Sequence, residues 1–253
     1  MAIDSDDYKI YVTNHDNNTV SVIDTTYDKK EPNDIPVGKE PEFIAIDEDG
    51  DKIYVTNTGS GTVSVINATN DKKEEHDIFV GKTPGFLTHY AGKIYVINTG
   101  SDTVSVINAT NDKKEAHDIP VGDRPNSIGV DSDHNKIYVT NTGSGTVSVI
   151  NATNDKKEAH DIPVGLFPGS LAIPHFFPFL RMIYVAHIVR SSGTVSVIDS
   201  SSDKVAAGVI FNVNPPNSGN IICNDAIYMW MLEQIVCLNP IKILNLILGL
   251  RIP

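Results

Sequence analysis

The chain has 253 residues, 32 acidic against 20 basic side chains, a net charge of −12, and 40% hydrophobic residues. That apolar share is enough for a packed core and excludes a chain disordered by composition. The acidic balance repels phosphate backbones, so nucleic acid is excluded as the expected partner.

The opening stretch, Met1-Ala2-Ile3-Asp4-Ser5-Asp6-Asp7, has no basic segment followed by an apolar run and does not read as a signal peptide. The first strong element follows at once. Lys9-Ile10-Tyr11-Val12-Thr13-Asn14 is β-branched and aromatic, and so is Thr19-Val20-Ser21-Val22-Ile23, which together read as a hairpin. The same pair returns down the chain. Tyrosines of the Ile-Tyr element fall at Tyr11, Tyr54, Tyr95, Tyr138, Tyr184 and Tyr228, at intervals of 43, 41, 43, 46 and 44 residues. A period in the forties belongs to propeller blades or paired-helix solenoids, and strand-forming residues select the propeller.

One unit is expected to hold four strands, at about 42–47, 52–57, 62–67 and 75–80 in the second copy. Thr58-Gly59-Ser60-Gly61 supplies a tight turn between the middle two. Pro120 and Pro163 place the fourth strand at a sheet edge, because proline cannot donate to a ladder. The fold class expected is all-β: a β-propeller of four-stranded antiparallel blades, five clear and a sixth degenerate. The blades run at about 1–38, 41–81, 84–122, 125–165 and 168–211. Residues 212–253 read either as the sixth blade or as a separate carboxy-terminal module. This tail holds Cys223 and Cys237 and only four acids fall after residue 175. Polar residues interrupt 226–250, so no membrane span is expected there.

The Tyr-Val-Thr-Asn segments at 11–14, 54–57 and 138–141, each followed by Thr-Val-Ser-Val-Ile and then Val-Gly-x-x-Pro, resemble the YVTN β-propeller repeat. The resemblance is specific to about residue 173 and recognisable to 210. It departs at Tyr95-Val-Ile-Asn98 and Tyr184-Val-Ala-His187, positions expected to affect only a turn. The family is common in archaeal surface-layer proteins, and the wider superfamily is WD40-like. The resemblance therefore implies an extracellular or cell-surface protein, with a cytoplasmic location as the alternative.

Most candidate chemistry reads better as scaffold. His76, His117 and His160 recur on the outer strand, where rotation about the axis separates them too far for one metal ion. His89 and His175 sit on inner strands at unlike offsets and form no repeated ligand set. Thr-Gly-Ser-Gly lacks the lysine and helix of a phosphate-binding loop. Asp47-Glu48-Asp49-Gly50-Asp51 reads as a hairpin turn rather than a calcium loop. No cofactor and no metal are expected. Asn17, Asn67, Asn108 and Asn151 open Asn-x-Thr triplets and are glycosylation acceptors if the chain is exported.

The informative contrast lies in the Val-Gly-x-x-Pro loops. Their flanks are repeated almost letter for letter, whereas x-x reads Lys-Glu, Lys-Thr, Asp-Arg and Leu-Phe. Repeated residues build scaffold; varied ones on a shared surface are placed to read a partner. The candidate ligand- or partner-binding residues are Lys39, Glu42, Lys82, Arg124 and Asn126, at one mouth of the channel. The expected function is a non-catalytic scaffold binding protein or glycan at a cell surface. The alternatives are a lactonase-like or metal- or haem-dependent propeller enzyme with an axial site, and a cytosolic interaction platform.

Overall fold

The computed structural model describes residues 1–47, 51–173, 182–187 and 193–211. The first blade comprises β1 (Ala2–Asp4), β2 (Lys9–Asn14), β3 (Thr19–Asp24), β4 (Lys29–Lys30) and β5 (Ile35–Pro36). The second comprises β6 (Pro41–Asp47), β7 (Lys52–Asn57), β8 (Thr62–Asn67), β9 (Lys72–Lys73) and β10 (Ile78–Phe79). The third follows with β11 (Pro84–Tyr90), β12 (Lys93–Asn98), β13 (Thr103–Asn108), β14 (Lys113–Lys114) and β15 (Ile119–Pro120). The fourth has β16 (Pro125–Asp131), β17 (Lys136–Asn141), β18 (Thr146–Asn151), β19 (Lys156–Lys157) and β20 (Ile162–Pro163). The fifth has β21 (Pro168–Ala172), β22 (Met182–His187), β23 (Gly193–Asp199) and β24 (Lys204–Phe211). Among the described residues all pairing is antiparallel and stays within each unit, which gives five separate sheets. The inner strands β6, β11, β16 and β21 are neighbours in series. This is the expected all-β propeller architecture.

Side-chain alternation assigns each middle strand two apolar faces. Tyr11, Val20 and Val22 of the first blade pack against Ile53, Val55 and Ile66 of the second. The same junction recurs with Tyr54, Val63 and Val65 on Ile94, Val96 and Ile107, and again in the next two pairs. The tyrosines at 11, 54, 95 and 138 are completely buried. A sheet apolar on both faces is stable only when stacked, which is why the repeat needs neighbours.

The outer strand departs from the expectation. In the second blade it is not one strand at 75–80 but two short pieces, β9 and β10, both paired with β8. A polar relay accounts for the break. Asn57 Nδ2 donates to Ser64 Oγ at 2.9 Å, and Ser64 Oγ donates to Asp77 Oδ1 at 2.7 Å. Lys73 pairs with the same carboxylate at 2.8 Å. Asp77 is thereby drawn inward and residues 74–76 bulge out. The relay repeats at Asn98, Ser105 and Asp118, and at Asn141, Ser148 and Asp161. In the fifth blade His187 replaces the asparagine, Ser196 faces the Val164 carbonyl at 2.9 Å, and β24 runs unbroken.

Two further expectations are corrected. The motif departures at Ile97 and His187 lie in strands, not turns; Ile97 is fully buried in the core and His187 is 4% exposed. The sixth-blade reading of 212–253, with Cys223 and Cys237, lies outside the described residues, as does His175. Most of the 47–51 hairpin does too. Among the described residues no helix is long and apolar enough to cross a membrane.

Candidate partner-binding face

The Val-Gly glycines are required by packing. A Cβ on Gly122 would lie 2.5 Å from Ser144 Oγ and 2.7 Å from the Asn141 side chain. Gly38 and Gly81 are pressed in the same way against Asn57 and Asn98. The loop after each glycine then crosses over the hairpin turn of the next blade. Thr58 and Gly59 donate their backbone N–H groups to the carbonyls of Glu40 and Lys39, at 2.9 and 3.1 Å. Thr99 and Gly100 do so to Thr83 and Lys82, and Thr142 and Gly143 to Arg124 and Asp123. The hairpin threonines also donate onward: Thr58 Oγ1 to the Pro84 carbonyl, Thr99 to Pro125 and Thr142 to Pro168, at 2.7–2.9 Å. One edge of the disc is therefore cross-linked blade to blade.

The residue before each proline adopts the left-handed conformation: Glu40 at φ 53°, Thr83 at 50°, Arg124 at 50° and Phe167 at 53°. None is glycine, and a β-branched or bulky side chain there is held against a steric cost of about 1–3 kcal/mol. The loop thus has one fixed backbone in four copies and a different exposed side chain on each. Lys39, Glu42, Lys82, Arg124 and Asn126 are all exposed on this edge. Glu42 is the second residue of β6 and its carboxylate lies 2.9 Å from Thr58 Oγ1, an alternative to the Pro84 carbonyl for that one hydroxyl proton. Asn126 occupies the equivalent place in β16.

Leu166 and Phe167, the varied pair outside the candidate set expected from sequence, are 75% and 51% exposed on the same edge. The signal was present: an apolar pair stands where the other copies carry charge. His187 fixes this loop. Its Nδ1 lies 3.0 Å from the Leu166 carbonyl, which only accepts, so Nδ1 carries the proton. Nε2 lies 2.9 Å from Ser196 Oγ. Burial holds the ring below the ordinary histidine pKa, partly offset by the Leu166 carbonyl.

The remaining polar residues are dispersed. His89 Nε2 lies 3.3 Å from Asp47 across two inner strands, and His134 Nδ1 bonds Asp131 at 2.8 Å inside one turn. His76, His117 and His160 are exposed on the outer bulges. Among the described residues no group of three metal-ligating side chains occurs. Asn67, Asn108 and Asn151 are half-buried, each accepting through Oδ1 from the backbone two or three residues on. Asn17 is exposed in its turn.

No protein-family profile matches the chain, and no curated protein matches it in sequence. Solved structures do match in fold. Virginiamycin B lyase from Staphylococcus aureus superposes with a TM-score of 0.67 at 15% identity, covering 85% of this chain and 70% of its own. The WD40 repeats of RRP9 give 0.64 at 15%, covering 83% and 62%. Kuenenia stuttgartiensis hydrazine synthase gives 0.60 at 22%, covering 68% and 49%. The chain thus spans less than two thirds of the length of several structures it matches. What this likeness establishes is the fold: the chain has a β-propeller architecture.

Proposed function

We propose that the chain is a non-catalytic propeller scaffold that binds a protein partner through the edge carrying the Gly-x-x-Pro loops. Leu166 and Phe167 serve as the apolar anchor, with Lys39, Glu42, Lys82, Arg124 and Asn126 as the polar surround. One observation carries the reading: a loop backbone locked identically in successive blades presents side chains that differ in charge, size and polarity. A rigid frame with variable exposed groups suits multipoint recognition, and an edge that exposes an aromatic and, on another of its loops, an arginine has residue types enriched at interface centres. The chemistry is contact without bond making. We place the protein at a cell surface, on the resemblance of its repeats to YVTN propellers and on the Asn-x-Thr triplets, of which Asn17 is the most accessible. A glycan is the alternative partner.

The test is site-specific photo-crosslinking in the native host, with the probe at position 166 or, as control, at exposed Phe79 on the rim. A partner captured from 166 and not from 79, and lost at least tenfold in Leu166→Asp/Phe167→Asp, supports the proposal. Equal capture from both positions, or capture indifferent to the double change, overturns it.

A further inference from the structure

Four blade junctions share one polar clamp. Tyr11 Oη donates to Asp71 Oδ1 at 2.8 Å while Lys9 pairs with Asp71 at 3.0 Å. Tyr54 and Lys52 hold Asp112 in the same way, at 2.7 and 2.8 Å. Tyr95 and Lys93 hold Asp155, and Tyr138 and Lys136 hold Asp203. Each of the first four blades therefore presents a Lys-Ile-Tyr donor pair on its trailing face, and the blade that follows answers with an aspartate at a left-handed turn position. Beneath the clamp, Ile53, Val55 and Ile66 of the receiving face are fully buried, as are Ile94, Val96 and Ile107, and Ile137, Val139 and Ile150.

The first blade carries the receiving half of this joint, and no described residue supplies the donating half. Its Ile10, Val12 and Ile23 stand at the same positions but are only half-buried. Asp28 takes the same left-handed turn, at φ 50°, as Asp71 at 55°. Its side chain is exposed, and it has no hydrogen-bond or ion-pair partner among the described residues.

The geometry points to this face as a docking surface for one further blade of the same repeat type, seated by its Lys-Ile-Tyr trailing face. The occupant is fixed by complementarity: an apolar sheet face flanked by an unpaired carboxylate requires a valine-rich face flanked by an ammonium and a phenol. A second copy of this chain does not meet the requirement through its fifth blade, because Met182 stands in the lysine position before Tyr184. The seat lies on a different surface from the proposed partner edge and does not depend on it.

The test supplies the occupant. Residues 125–170 are appended before Met1 of the full chain, which places the appended Tyr138 43 residues before Tyr11, the same interval as from Tyr11 to Tyr54. The fusion is expected to melt in a single transition above that of the parent, with the appended blade resistant to protease. Asp28→Asn should lower the melting temperature of the fusion by about 4–8 °C and that of the parent by less than about 1 °C. Changing the appended copy's Tyr138 to Phe should be non-additive with Asp28→Asn. An appended blade that is digested and adds no stability overturns the inference. So does an Asp28→Asn loss as large in the parent as in the fusion, or a parent melting temperature that rises with protein concentration, since either shows the seat already filled.

Discussion

Tyr54→Phe is the sharpest probe of how the blades are joined. The ring is fully buried, so phenylalanine keeps every apolar contact and removes the hydroxyl alone. The lost bond is a 2.7 Å donation to the ionised Asp112, and such charge-assisted bonds contribute about 1.5–3 kcal/mol. Asp112 keeps Lys52 at 2.8 Å and is 27% exposed, so water recovers part of the loss and about 2 kcal/mol is expected. For a chain of this size that lowers the melting temperature by about 4–8 °C. The matched control is Tyr184→Phe. The Tyr184 hydroxyl is buried with no hydrogen-bond partner among the described residues, so its removal relieves a desolvated group and should be neutral or stabilising by up to about 1 kcal/mol. Calorimetry on both variants decides. Equal losses, or a loss below about 0.5 kcal/mol for Tyr54→Phe, would refute the reasoning that the clamp holds the blades together.

Gly122→Ala forces a Cβ to 2.5 Å from Ser144 Oγ and should cost about 1–3 kcal/mol by denaturant titration, as overpacking does. Thr83→Gly acts oppositely, relieving a β-branched residue at φ 50°, with a gain of about 1 kcal/mol in the same titration. Burial lowers the folded-state pKa of His187 below its ordinary 6.5, so the unfolded chain binds the proton more readily. Its stabilisation is therefore complete above pH 6.5 and lost as the pH falls through the folded value. Melting temperature should fall more steeply between pH 7 and 5 in the wild type than in His187→Asn; parallel curves would refute the assignment.

The tyrosine spacing, the β-branched strands and the edge prolines carried the architecture openly, because propeller period, strand preference and hydrogen-bond edges are all local or periodic properties. So did the contrast between repeated flanks and varied loops, since exposure to solvent frees those positions. The aspartate clamp was not legible. Tyr11 and Asp71 are 60 residues apart, and only stacking of consecutive blades brings the phenol, the ammonium and the carboxylate into one joint. Nor could spacing reveal that the outer strand breaks, because the break is made by Asn57 and Ser64 drawing Asp77 inward from another strand. Sequence by itself determined the inner and middle strands of the five described blades and the interval at which they recur. Tertiary structure alone decided which polar side chains meet, because those contacts close over distances along the chain that no local pattern encodes.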